Sequence, residues 1–231
     1  MTLMAELKRI GGEMGARFVG VADLREIESA LPQATRPYLS AFPRAIAIGL
    51  PLLSAIVDQL THHREPFVAL TYRHHYGVVN ERLDQIALRM AGTLERAGHP
   101  AWPIPATQTL DEELNYGAFP HKLAAHLAGL GWIGKSCLLI TPECGPRVRW
   151  VTVLTSAPLE ATGSAQPERC GDCRLCVDSC PAGAFTGRPF AMGEPREARY
   201  DAAACRRYHR SMQRGDIRPL CGVCVSVWLR S

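Results

Sequence analysis

The sequence predicts a mixed fold of the α+β or α/β class, with a layered N-terminal domain followed by a small cysteine-rich domain. Helical and strand patterns alternate through the first two thirds of the 231 residues, which is typical of layered structure rather than of a helical bundle. The nine cysteines lie towards the C terminus: none precedes Cys137, and seven fall between Cys170 and Cys224. We therefore expect one domain at 1–160 and another at 165–231.

The first elements follow from apolar spacing and glycine stops. Apolar residues recur at helical spacing from Leu3 to Met14, and Gly15 can end that helix before a short strand at 18–22. The apolar run at 45–50 predicts the next strand, which Pro51 closes.

A long amphipathic helix is expected from Asn80 to Ala97, with Gly98 just past its end. The proline-containing piece at 100–106 is predicted to be a sheet edge or the wall of a cleft. A further helix is expected at about 120–130. Two strands should then flank a turn at 142–146, and a linker rich in Pro, Gly and Ser should occupy 158–170.

Composition excludes several classes of protein. With 47% apolar and 21% charged residues the chain is not expected to be disordered, and it holds no apolar run suited to a membrane span or a signal peptide. The net charge of +4 is spread over scattered basic residues and does not indicate nucleic-acid binding by itself. We expect a cytoplasmic protein with no membrane partner, whose cysteines serve metal or redox chemistry rather than disulfides.

The cysteine spacing indicates iron-sulfur clusters. Cys170, Cys173, Cys176 and Cys180, with a proline after the last, reproduce the C-x2-C-x2-C-x3-C-P run of bacterial ferredoxins. In that run three thiolates hold one [4Fe-4S] cluster and the fourth reaches a second cluster. Zinc ribbons use separated C-x2-C pairs instead, so a zinc-stabilised nucleic-acid module is the weaker interpretation.

The second cluster has a complete set of ligands and the first does not. Cys205, Cys221 and Cys224 join Cys180 at the second cluster. The first cluster lacks its fourth cysteine, because Trp228 stands four residues after the last pair, where a two-cluster protein would place it. Cys137, Cys144, a ligand other than cysteine, an open iron or a three-iron cluster remain as alternatives.

Two motifs together resemble the epoxyqueuosine reductase family and its shorter relatives. They are the stretch AGLGWIGKSCLLITPECGPRV at 128–148 and the cysteine run with its late C-x2-C pair. The resemblance implies a cobalamin-binding α/β domain joined to a ferredoxin domain with two [4Fe-4S] clusters, an arrangement shared with reductive dehalogenases. It also implies a reductase in which electrons pass through the clusters to cobalamin or a substrate at the domain interface, supplied by a low-potential donor such as ferredoxin or flavodoxin.

The chain departs from the family pattern near the catalytic position. Counting back from the shared glycine motif puts Asn115 where the family's proton-donating aspartate stands, and an amide cannot take that role. Asp111, Glu112 and Glu113 are nearby substitutes only if the loop has another shape, so the catalytic residue is unknown. The sequence also holds no counterpart of the helical-repeat region with which the tRNA enzyme grips its substrate. We therefore expect a substrate or partner of its own in place of tRNA.

The glycines after the helix at 120–130 indicate a loop that faces a ligand. Gly131 and Gly134, with Lys135, are candidates for cofactor binding because residues without a Cβ permit close approach and a lysine can meet an anionic group. The alternative function, of another class, is a non-catalytic electron-transfer or corrinoid-reactivating protein whose N-terminal domain docks a partner.

Several other polar and aromatic residues are candidates for function. Tyr72 and Tyr76 are candidates for a cleft wall, and the basic stretch at 205–215 for contact with an acidic donor or nucleic acid. Histidine pairs at 62–63 and 74–75 are not expected to bind metal, because neighbours on a strand point to opposite faces. Arg147 and Arg149 should share one face of a strand, as surface or as a pocket wall.

Overall fold

The computed structural model describes residues 2–25, 27, 31, 36–111, 116–213 and 220–228. The helices in this part of the chain are α1 Leu3–Glu13, α2 Arg36–Leu39, α3 Ser54–Val57, α4 Pro66–Arg96, α5 His121–Leu127, α6 Leu175–Asp178, α7 Ala202–Ser211 and α8 Val223–Ser226. The strands are β1 Phe18–Asp23, β2 Arg44–Pro51, β3 Ala101–Ile104, β4 Thr109–Asp111, β5 Tyr116–Gly117, β6 Trp132–Ile133, β7 Leu139–Ile140 and β8 Val148–Thr155. Short 3-10 turns occupy Asp58–His62 and Arg196–Ala198.

A four-stranded sheet in the order β1-β2-β8-β3 forms the centre of the N-terminal part. Every pair in it is antiparallel, so of the two predicted classes α+β describes the sheet better. The layered α and β fold is confirmed. The edge position of β3 also confirms the prediction for the proline-containing piece, since an edge strand can leave one side of its backbone unpaired.

Two apolar layers cover the faces of this sheet. One unites α1 and α4 with the sheet through fully buried side chains such as Leu7, Leu83 and Met90. The other packs α5 against the opposite face, around Trp150 and Leu154. Alternate residues of β8 point into the two layers, as the twofold side-chain period of a strand requires. The sheet is thus buried on both sides.

The long helix α4 begins 14 residues before the predicted start at Asn80. It runs from Pro66 to Arg96, and Pro66 occupies its first turn, where the missing N–H is tolerated. The histidine pair at 74–75 therefore lies on a helix, and the prediction of a strand there was wrong. Aromatic and β-branched residues around this pair favour a strand by propensity, and packing against the sheet overrides that preference.

A third, smaller apolar cluster belongs to the C-terminal part. It comprises Met212, Cys221 and Val223, with Tyr208 and Val227 against it. The segment at 158–170 is not a free linker. Thr162 donates from its backbone N–H to the Val21 carbonyl at 3.0 Å, and the Gln166 side-chain amide donates to the Gly129 carbonyl at 2.7 Å. No helix among the described residues has the length and apolar character needed to cross a membrane.

Gly49 and Gly77 provide a matched pair for testing the packing of the sheet. A Cβ at Gly49 would lie 2.5 Å from the Trp150 ring, whereas a Cβ at Gly77 on α4 meets no atom within 4 Å. We expect Gly49→Ala to lower the free energy of unfolding by about 1–3 kcal/mol through overpacking. Gly77→Ala should raise it by about 0.5–1 kcal/mol, since alanine loses less backbone entropy in a helix. Urea denaturation measures both, and equal effects of the two variants would contradict this packing.

Candidate functional site

The four cysteines assigned to the second cluster influence one another electrostatically, although no three cysteine, histidine or acidic side chains among the described residues are gathered closely enough to form a metal site. Burial raises the pKa of the Cys224 thiol, and the neighbouring thiolates of Cys221, Cys205 and Cys180 raise it further. Burial likewise raises the pKa of Cys221 to about 11, with contributions from Cys205 and Cys180. Because these effects weaken with distance, we infer that helix α7, the start of α8 and the end of the first cysteine run face a common region.

The first three cysteines form a separate turn beside α6. The Cys173 N–H donates to the Cys170 carbonyl at 2.8 Å, and Cys173 is exposed whereas Cys170 and Cys176 are half-buried. Burial raises the pKa of Cys170 to about 11, and a hydrogen bond with Glu168 raises it further. The pKa of Cys176 is raised by burial and by its neighbour Cys173. The turn thus presents three thiols near the protein surface.

The turn between β6 and β7 lies directly on this cysteine loop. A Cβ at Gly134 would be 3.3 Å from the Cys170 Sγ, so the absent side chain leaves room for that sulfur. The Lys135 ammonium donates to the Gly171 carbonyl at 2.5 Å and to the Cys173 carbonyl at 3.2 Å. Lys135 therefore holds the cysteine loop through its backbone. Gly131 has a packing role, because a Cβ there would overlap the Ile140 carbonyl oxygen.

The two remaining cysteines have different surroundings. Cys137 is 4% exposed, has a positive φ of 55°, and its Sγ lies 3.8 Å from an Arg199 guanidinium nitrogen. Cys144 is half-buried and packs against the apolar layer around α5. Trp228 stands at the position of the missing ligand. Its indole ring packs on Gly145, the residue after Cys144, and a Cβ on Gly145 would overlap that ring.

A cavity of about 720 Å³ opens between the N-terminal part and the segment at 190–199. Its described lining comes from α4, the loop after β3, β4, β5, α5, β8, the β6–β7 turn and that segment. Cavities of roughly 300–1,000 Å³ are typical of small-molecule sites. Cys137 lines the cavity from the same turn that holds the cysteine loop.

Charged and polar groups on the cavity wall come from distant parts of the chain. The Arg149 guanidinium lies 4.3 Å from the centre of the Tyr76 ring, and donates to the Asn80 Oδ1 at 3.0 Å. The Lys122 ammonium donates to the Cys137 carbonyl, and burial lowers its pKa. Burial also lowers the pKa of His121 to about 4, so its imidazole stays neutral near pH 7.

The other residues considered in the sequence take varied positions. Tyr76 lines the cavity, whereas Tyr72 is buried beside it, with ring centres 6.2 Å apart. Arg147 forms an ion pair with Asp58 at 2.6 Å, so it does not share the role of Arg149. His63 contacts the Tyr208 hydroxyl at 2.8 Å. Asn115, Glu112 and Glu113 lie outside the described residues, and Asp111 ends β4.

Sequence reasoning missed the cavity cations Lys122, Arg196 and Arg199. These residues share no spacing motif, and only folding brings Lys122 close to Arg196 and Arg199. One signal was available. Lys122 lies in the first turn of α5, where a positive charge opposes the helix dipole and is unfavourable unless another interaction requires it.

Comparison with known proteins agrees with both motifs. Residues 169–227 match the family model of the 4Fe-4S double cluster binding domain. The chain is 36% identical over 216 residues to an epoxyqueuosine reductase of Synechococcus sp. (strain RCC307), covering 89% of this chain and 60% of that protein. An epoxyqueuosine reductase of Pseudomonas aeruginosa is 29% identical over 65% of this chain and 37% of its own length. The chain thus spans about 40 to 60% of these curated relatives.

Solved structures with the same fold include both groups named by the resemblance. The reductive dehalogenase NpRdhA matches with a TM-score of 0.67 and 19% identity, over 96% of this chain and 31% of that one. The epoxyqueuosine reductase of Streptococcus thermophilus matches with a TM-score of 0.59 and 17% identity, over 99% and 66%. The resemblance to the epoxyqueuosine reductase family carried by the glycine motif and the cysteine run is confirmed, since the chain is similar over most of its length to a curated epoxyqueuosine reductase.

Proposed function

We propose that the protein is an iron-sulfur reductase in which clusters in the C-terminal domain deliver electrons to a ligand in the cavity. The observation that carries the proposal is the β6–β7 turn. One side of this turn holds the loop of the first three cysteines through Lys135, and the same turn supplies Cys137 to the cavity wall. Electron donor and acceptor would therefore be separated by a few residues of packed protein. The domains we propose are 1–160 for the cavity and 165–231 for the clusters.

The residues present fit two clusters, one of them with three cysteine ligands. Cys180, Cys205, Cys221 and Cys224 form the proposed four-thiol set, in which Cys180 and Cys205 contribute to the raised pKa of Cys221 and of Cys224. Cys170, Cys173 and Cys176 would hold the first cluster, which Trp228 cannot complete. Clusters of this kind transfer single electrons at low potential. Because iron requires thiolates, a reducing compartment such as the cytoplasm suits the protein.

The cavity fits a corrinoid in part. The aromatic residues Tyr76, Trp150 and Phe190 line the cavity, and a complete cobalamin would extend beyond it towards solvent. When bound there, cobalamin would supply a reducible cobalt for a low-potential reduction. The chain's own part is to orient the ring, exclude water and set the local charge. The aromatic walls would orient the ring and exclude water, and Lys122, Arg149 and Arg199 would set the local charge.

Partners follow from the same arrangement. The exposed Cys173 marks the face of the first cluster that lies nearest to solvent. On α7, Arg207 and Arg210 are exposed, which would favour an acidic donor such as ferredoxin or flavodoxin. One solved epoxyqueuosine reductase contains a tRNA stem loop. A tRNA substrate is the less favoured proposal here, because Asn115 stands where the resemblance places a proton-donating aspartate.

Iron analysis tests the assignment of the clusters. We expect anaerobically reconstituted protein to hold about eight irons, and brief exposure to air to remove about one from the three-cysteine cluster and leave the EPR signal of a three-iron centre. Trp228→Cys should supply the missing thiolate and suppress that signal, whereas Trp228→Ala, which removes the same bulk, should not. Cys224→Ser should lose the second cluster.

Two serine variants serve as controls for the open position. Cys137→Ser and Cys144→Ser should keep the iron content and the EPR behaviour of the unaltered protein. A loss of iron in one of them would identify that thiol as the fourth ligand and contradict a three-cysteine cluster. Zinc in place of iron and sulfide would contradict the redox function altogether.

Cobalamin binding separates the reductase from an electron carrier. We expect cobalamin to bind the reconstituted protein and its visible spectrum to shift on transfer from water to the cavity. Thr107→Trp should weaken binding at least tenfold, since Thr107 lines the cavity. Thr61→Trp, on the exposed 3-10 turn after α3, should leave it unchanged. Failure of the unaltered protein to bind cobalamin would favour the non-catalytic electron-transfer alternative.

A further inference from the structure

We infer that the cavity binds an organic ligand through a carboxylate or phosphate group, held by Lys122, Arg149 and Arg199. This inference rests on the proposed function only in using the same cavity. It names the chemical class of the ligand, which the comparisons leave open. It is carried by an excess of positive charge on the described wall and by the partners of each cation.

The wall contains four cations and one carboxylate among its described residues. The cations are Lys122, Arg149, Arg196 and Arg199, and the carboxylate is Glu194. Arg196 forms its ion pair with Glu197 at 2.9 Å. Glu194 serves two guanidiniums at once: Arg188 at 2.5 Å and Arg199 at 3.4 Å. The carboxylates present therefore do not balance the cations.

Lys122 and Arg149 interact with neutral acceptors. The Lys122 ammonium donates to the backbone carbonyl of Cys137. Arg149 donates to the Asn80 side chain at 3.0 Å and to the Ala106 carbonyl at 3.5 Å. Within the described part of the chain, no carboxylate lies at ion-pair distance from either residue. A cation that is withdrawn from water without an opposite charge is costly, so these positions favour an anionic ligand.

The three cations come from separate elements of the fold and lie near one another on the cavity wall. Lys122 comes from α5, Arg149 from β8 and Arg199 from the segment after the second 3-10 turn. Burial lowers the pKa of Lys122, Cys137 raises it, and the nearby Arg199 and Arg196 lower it again. Repulsion between the ammonium and these guanidiniums is the cause of the last effect. An anion placed among them would offset this repulsion and gain several charge-assisted hydrogen bonds.

The remaining wall indicates the rest of the ligand. Burial lowers the pKa of His121 to about 4 and keeps its imidazole neutral near pH 7. Its ring nitrogens contact the Thr152 Oγ1 at 2.9 Å and the Pro105 carbonyl at 3.1 Å. Trp150 and Phe190 line the cavity beside the cations. We therefore expect an acid with an apolar or aromatic body. The anionic group has two sources: the substrate, or the phosphate of the nucleotide loop of cobalamin.

Thermal unfolding of the reconstituted protein with chemical probes tests the inference. Benzoate and phenyl phosphate should raise the unfolding temperature in proportion to their occupancy, and benzyl alcohol should not. Lys122→Met should weaken the binding of both anions at least tenfold. Lys8→Met, the same substitution on the exposed face of α1, should leave it unchanged. Without anions, Lys122→Met should unfold at a higher temperature, because it removes an unbalanced charge.

Cobinamide, which lacks the nucleotide phosphate, distinguishes the two sources. If Lys122→Met weakens the binding of cobalamin but not of cobinamide, the anion is the corrinoid phosphate. If both corrinoids bind equally well to the variant while benzoate does not, the anion belongs to the substrate. Equal binding of benzoate and benzyl alcohol, or unchanged anion binding by Lys122→Met, would overturn the inference. Neither of these two outcomes would change the iron content of the protein. The anion-binding inference could therefore fail while the proposed reductase function stands.

Discussion

The contact between the β6–β7 turn and the cysteine loop decides how the two parts of this protein are related. A glycine at 134 leaves space for the Cys170 sulfur, and Lys135 binds two carbonyls of the loop. A side chain at position 134 would crowd the Cys170 sulfur, and a shorter or neutral side chain at position 135 would lose the two hydrogen bonds to the cysteine loop. Both changes would loosen the contact between the loop and the turn. Because Cys137 of the same turn lines the cavity, the contact also sets the separation between the proposed electron source and its acceptor.

The cluster side and the cavity side of that contact differ in their electrostatics. On the cluster side, burial and neighbouring thiolates raise the pKa of Cys221 and Cys224, so these two thiols keep their protons near pH 7 when no iron is bound. Iron binding must displace those protons, which couples assembly of the clusters to pH and to folding. On the cavity side the wall carries excess positive charge. A reduced cluster adds negative charge close to this wall, and the nearby cations reduce the cost of adding it.

The sequence predicts local features of this structure well and long-range convergence poorly. The cysteine spacing predicted two groups of thiols, and α1, β2 and the edge strand β3 followed from periodicity, glycine and proline. The start of α4 did not, because aromatic and β-branched residues there favour a strand until the helix packs on the sheet. The meeting of Lys122 with Arg199 has no sequence pattern, since it depends on how the segment at 190–199 crosses the cavity.

The cavity itself is the strongest argument for a reductase over a simple carrier. An electron carrier needs a cluster close to its surface, and the exposed Cys173 would hold the proposed first cluster there. It has no use for a pocket that places unbalanced cations beside aromatic faces, because such cations lower stability when the pocket is empty. A protein that binds a charged ligand recovers this cost upon binding. The arrangement is therefore best explained by a ligand that accepts the electrons, with the first cluster on the outer side of the β6–β7 turn and the ligand on the inner side.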